Sequence, residues 1–131
     1  MREIEFRGKA IHPNSLEQIV GSWAYGGIFE NKIITRNLDM NSHYHGFISE
    51  IEIDLKTIGQ YTGLKDKNGN KIFEGDVGWD EHNECYGVVK FEDAKFLYLW
   101  ENIAENLWEV ADDIEICGNI HENPDLLEVA E

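Results

Sequence analysis

Residues 58–77, IGQYTGLKDKNGNKIFEGDV, constrain the fold of this chain more than any other stretch. Apolar and β-branched residues flank a polar centre at Asn68-Gly69, the strongest short-range signal for a β-hairpin. Asn and Gly both tolerate the positive φ of a two-residue type I′ turn, whose twist matches the strands that it joins. The pattern predicts two antiparallel arms through this turn, with Gly75-Asp76 closing the second arm.

The rest of the chain predicts more short strands. Ile4 and Phe6 alternate with charged neighbours over residues 1–12, and residues 23–29 (WAYGGIF) suit a strand with a glycine kink. Asn31-Lys32 turns that strand into Ile33-Ile34-Thr35. Ile51, Ile53 and Leu55 alternate with Glu52 and Asp54, which predicts one wet and one buried face. Residues 86–91 (YGVVKF) and 95–100 (KFLYLW) are dense in aromatic and β-branched residues and join through Glu92-Asp93-Ala94. Residues 107–110 and 114–116 supply short final strands. Helix is expected in two places only: residues 15–20, capped by Ser15 with Gln18 in support, and a terminal helix with Asn123 as cap and Pro124 at its first position. Many short strands with glycine turns indicate a mainly-β barrel or sandwich, and the spacing over residues 72–100 suits a small, strongly bent barrel.

Size and charge narrow the options. The 131 residues suit a single domain over residues 1–131, and 42% hydrophobic content is that of a folded chain. No apolar run approaches the roughly 20 residues of a membrane-spanning helix, and residues 1–12 lack the apolar core of a secretory signal. A cytoplasmic location is the expectation. Cys85 and Cys117 are isolated thiols, which suits a reducing compartment. The net charge of −15 is uneven: residues 1–71 carry nine acids and nine bases, whereas residues 72–131 carry 17 acids and only Lys90 and Lys95. Such a region repels phosphate, so neither nucleic-acid binding nor attachment to anionic lipid is expected of it.

The central motif, together with REIEFRGKA, WAYGGIF and ICGNIHENPDLL at residues 116–127, resembles the YopX-like family of phage and prophage proteins. The resemblance implies an SH3-type barrel, partly open, with additional strands and a short C-terminal helix. It implies no particular activity. Residues 13–20, resembling an insertion ahead of WAYG, and the polar stretch 37–45 depart from the family pattern.

Candidate sites are few. His82-x2-Cys85 and Cys117-x3-His121 form two half-pairs of zinc-ligand type, although neither is a CxxC or HxxxH pair, and a packed apolar role for Cys117 competes with ligation. His43 and His45 lie on a polar loop. Asp66, Asn68 and Asn70 alternate as calcium ligands do, but the EF-hand glycine and glutamate are replaced by Lys71 and Val77. No nucleophile elbow, Walker loop or HExxH is present, so neither catalysis nor a cofactor is expected.

These features favour a non-enzymatic adaptor or regulator that binds a protein partner. The contact surface is placed at Gln60, Tyr61, Asp66, Glu74 and Asp76, where the hairpin sets polar groups beside aromatic ones. The alternative is an acidic mimic of DNA that occupies a DNA-binding protein. A homo-oligomer is a further option, with Arg2, Arg7 and Lys9 of one chain meeting the acidic surface of another.

Overall fold

The computed structural model describes residues 4–11, 22–37 and 47–128. The predicted helix at residues 15–20, and His43 and His45, lie outside these residues. The chain is mainly β and forms two compact units, one ending at Gln60 and the other beginning at Tyr61.

In the first unit, β1 (Phe6–Ala10), β2 (Trp23–Phe29), β3 (Lys32–Asn37) and the opening part of β4 (Phe47–Lys65) pair in succession, all antiparallel. β1 also pairs with β4, so these four strands close into a ring. So narrow a ring has little interior, and the core is correspondingly small: Ala10, Ala24, Ile33, Ile51 and Ile53, with Phe6 and Ile58 against them. Gly8 belongs to the same economy, since a Cβ there would sit 2.5 Å from Ile53 Cδ1.

The ring turns its corner on a break in β4. Between the pairs Lys9–Asp54 and Arg7–Gly59, β4 carries extra residues. Asp54 Oδ1 accepts from Lys56 N at 3.0 Å, Thr57 Oγ1 donates to Asp54 O at 2.6 Å, and Lys9 N donates to Thr57 Oγ1 at 2.9 Å. Leu55 lies on this bulge and is 54% exposed, where simple alternation had put it inside.

In the second unit, the end of β4 pairs with β5 (Lys71–Phe73), and five strands form an open antiparallel sheet. These are β6 (Asp76–Asp80), β7 (Cys85–Glu92), β8 (Lys95–Trp100), β9 (Ile103–Asn106) and β10 (Ile114–Asn119), in the order β10-β6-β7-β8-β9. A helical turn α1 (Leu107–Val110) and a 3-10 turn (Ala111–Asp113) precede β10, and the expected C-terminal helix is α2 (Asp125–Glu128). The core comprises Ile72, Val89, Tyr98, Leu107, Ala111 and Ile114. Barrel-like closure therefore lies in the first unit, while residues 72–100, where the sequence suggested the strongest bending, build the open sheet.

Two local expectations are corrected, and one strand forms where none was expected. Residues 107–110 are helical, because Leu107, Val110 and Ala111 reach one core only at helical spacing. Strand β9 forms although only Ile103 is strongly β-prone, since its ladder to β8 supplies what local preference lacks. The Asn68-Gly69 turn is not type I′. Only Gly69 has positive φ (84°); Asp66 O accepts from Gly69 N at 3.0 Å, and Asp66 N donates to Asn70 O at 2.8 Å. This is a three-residue loop with glycine in the left-handed position. A left-handed pair occurs instead at Asp93-Ala94 (φ 52° and 61°), between β7 and β8.

Asp66 explains the altered turn. Its Oδ1 accepts from Asn68 N and Asn70 N, both at 2.9 Å, and its Oδ2 from Ile116 N of β10 at 2.8 Å. Lys67 N adds a bond to Ile114 O at 3.1 Å. Burial alone would raise the pKa of this carboxyl group, but the N–H groups of Ile116, Asn70 and Asn68 outweigh it and hold the group below its ordinary value. Because the folded-state pKa is the lower, this stabilisation is fully present above the unfolded value of about 3.9 and is lost as the pH falls through the folded one. Asp66→Asn is expected to lower stability at pH 7 by about 1–3 kcal/mol. Urea unfolding at pH 7 and pH 3 checks this: the difference from the parent protein should shrink in acid.

Tyr98 governs the open sheet. Its ring lies over the cross-strand pair Gly78–Gly87, and its hydroxyl donates to Gly78 O at 3.0 Å. A Cβ on Gly87 would meet Tyr98 Cε2 at 2.6 Å, whereas one on Gly27 would meet nothing within 4 Å. Gly87→Ala should cost about 1–3 kcal/mol by overpacking, and Gly27→Ala less than about 0.5 kcal/mol. Denaturant midpoints of the two variants measure the contrast.

Candidate functional site

The five residues singled out for partner contact do not form one exposed surface. Tyr61 is buried, its ring centroid 5.5 Å from that of Phe73, with Lys71 Nζ 5.0 Å from its own centroid. Asp66 is 4% exposed and committed to the hairpin and β10. Asp76 is 2% exposed, and its Oδ2 accepts from Phe73 N at 2.7 Å, closing the Glu74-Gly75 turn. Glu74 is half-buried beside it. Gln60 belongs to the first unit, where it pairs with Phe6. Thr62 follows the same rule as the acids: it is buried, and its hydroxyl donates to Ile72 O at 2.8 Å. The motif is thus rich in polar residues because its turns need internal acceptors and donors.

The GNIHENP segment is built likewise. Asn119 Oδ1 accepts from His121 N and Glu122 N, both at 3.0 Å, and Asn123 Oδ1 accepts from Asn119 N at 3.3 Å. The Asn123 backbone carbonyl accepts from Leu126 N as the last helix begins. Ile120 N donates to Gly75 O and Gly75 N to Val89 O, which ties the segment to the turn before β6 and to β7.

The four residues weighed as zinc ligands are not brought together. Cys85 and Cys117 lie on β7 and β10, with β6 between them. Two strand spacings amount to about 10 Å, beyond disulfide reach. Burial, then the Asp80 carboxylate, pushes the Cys85 thiol up. Burial, then Glu115, does the same for Cys117, whose Sγ lies 3.5 Å from Val77 O. Raised thiol values disfavour thiolate chemistry at either position. His82 sits on an exposed turn, and His121 follows β10. Among the described residues no three His, Cys, Asp or Glu side chains form a metal-binding group.

The structure does assemble a cleft that sequence reading missed. It has a volume of about 660 Å³ and is lined by the 80–83 tract (Asp80, Glu81, His82, Asn83), by Glu105 and Val110, by Asp112 and Asp113, and by Lys67. Asp80 is buried and organises the first wall: Oδ1 accepts from His82 N at 2.9 Å, and Oδ2 from the Asn83 amide at 2.7 Å. Glu105 Oε2 accepts from Trp100 Nε1 at 2.8 Å. Lys67 Nζ lies 3.6 Å from Glu81 Oε2, so the one cation among the lining residues is paired. The remaining carboxylates give the cleft a negative potential suited to cationic groups. Its acids come from segments up to 33 positions apart in sequence, and their abundance hid their convergence.

Of the cations assigned to an oligomer contact, Arg7 is buried with its guanidinium carbon 4.6 Å from the Trp23 ring centroid. Lys9 Nζ approaches the same ring at 5.5 Å. Arg2 lies outside the described residues. No helix among the described residues is long and apolar enough to cross a membrane.

Comparison with known proteins places this architecture. No curated protein matches the chain. A solved structure, protein EF1440 from Enterococcus faecalis, is similar over 97% of this chain and 99% of its own, at 24% identity and a TM-score of 0.59, which supports the fold. The family model described as YopX protein matches residues 6–128, which take in both units and all the described strands. The chain belongs to the YopX family.

Proposed function

We propose that this protein is a non-enzymatic adaptor or regulator, encoded by a phage or prophage and acting in the bacterial cytoplasm, that binds a protein partner through its acidic second unit. The observation that carries this reading is the division of labour among its carboxylates. Asp66, Asp76 and Asp80 are buried and satisfy backbone N–H groups, while Glu81, Asp112 and Asp113 remain exposed around an open cleft. Exposed acids beside solvent-facing Trp108 and Ile103 offer both charge and apolar area to a partner.

A second reading, mimicry of nucleic acid, is favoured by the 17 acids against two bases after Lys71. The readings separate by competition. With the immobilised protein and an extract of its bacterial host, an adaptor should retain its partner in the presence of excess duplex DNA and lose at most about tenfold in affinity between 50 and 200 mM salt. A mimic should be displaced by the duplex and lose about 10³-fold or more over that range, as phosphate-reading proteins do.

A further inference from the structure

The open sheet has two edges, and they are finished differently. The outer side of β10 is bonded to the hairpin loop, through Ile116 N to Asp66 Oδ2 and through Lys67 N to Ile114 O. Strand β9 at the other edge pairs only with β8 among the described residues. Glu101-Asn102 forms a two-residue connection, so the pairs Trp100–Ile103 and Tyr98–Glu105 exchange the ladder bonds. The N–H and C=O of Ala104 therefore point away from β8, and Ile103 and Ala104 are exposed.

The surroundings of this edge specify an occupant. The helical turn α1 follows β9 directly and packs against β8 and β9. Leu107 is fully buried in the core, while Trp108 is turned out and 69% exposed. Ile103 adds a second apolar contact, at 43% exposure. Glu101, Glu109, Asp112 and Asp113 are exposed on the flanking turns, and Glu105 leads from β9 into the acid-lined cleft. Between Lys95 and the end of the sequence there are ten acids and no Lys or Arg. An incoming strand would find backbone hydrogen bonds at Ala104, an aromatic face at Trp108 and carboxylates along its path. An edge rich in carboxylates repels acidic strands and neighbouring copies of itself, and accepts a basic one.

We infer that β9 and Trp108 form a docking site for an extended segment of a partner protein that carries one or two Lys or Arg side chains, and that this segment adds to the open sheet as a further strand. The inference rests on the adaptor reading and names the partner's chemistry. Backbone pairing supplies attachment, Trp108 receives an aliphatic stem or cation, and the cleft takes a second basic side chain.

The test is selection of random dodecapeptides displayed on phage against the full chain, followed by binding of the enriched peptides to Trp108→Ala and Ala104→Pro. Trp108 is exposed and the Ala104 N–H is directed outward, so circular dichroism should show both variants folded. The expected result is enrichment of Lys- and Arg-containing peptides whose affinity falls at least fivefold with either variant. Amide NMR shifts should centre on residues 101–113. Enriched peptides that bind both variants normally, or that shift amides elsewhere, would overturn this site while leaving the adaptor reading standing. If no peptide is enriched, the site is refuted; a partner retained from host extract would then still separate this failure from that of the adaptor reading.

Discussion

One buried carboxylate coordinates the second unit. Asp66 collects N–H groups from the middle and the far arm of its own turn and from the middle of the last strand, so the hairpin loop and β10 are held by one carboxylate. A neutral side chain would accept less strongly, and a residue without an acceptor would leave three backbone donors to find other partners. The rest of the motif follows the same logic: Thr62 holds Ile72, Asp76 holds Phe73, and Asn119 holds the residues after β10. The polar residues that make the family motif look like a ligand site are used to complete turns.

Much of the architecture was legible because strand patterns are local. The ladders of β7 and β8, and the opening strands around Phe6 and residues 23–29, lie where alternation and β-branched or aromatic content put them. The failures are equally physical. In Leu107-Trp108-Glu109-Val110 the first, second and fourth residues are apolar, a pattern that four residues alone cannot assign to helix or strand. Leu55 continued the alternation in sequence but fell on a bulge set by Asp54 and Thr57. Asn68-Gly69 suggested one turn type, yet the carboxylate at Asp66 selected another; side-chain hydrogen bonds of this kind compete directly with backbone preference.

The surface was less legible than the core. The acid-lined cleft draws on β6, the following turn, β9 and the 3-10 turn, and nothing in their separate sequences announces that they converge. Charge counting located the anionic half of the chain, but not which acids are exposed. Burial divides them: Asp66, Asp76 and Asp80 support the fold, while Glu81, Asp112 and Asp113 face solvent. The family assignment supplies lineage, and this division supplies the physical basis for a functional reading.

The ring of the first unit has a consequence for how the chain assembles. Its closing contact joins Lys9 to Thr57 across 48 positions, whereas β6 to β9 form by successive hairpins between immediate neighbours. Loop entropy must be spent before a distant contact returns anything, and each hairpin needs little of it. During synthesis, β1 through β3 must therefore wait, with their pairing incomplete, until β4 emerges. The second unit meets a comparable penalty only at its end, when Ile116 N reaches Asp66 Oδ2 across 50 positions after its hairpins are in place.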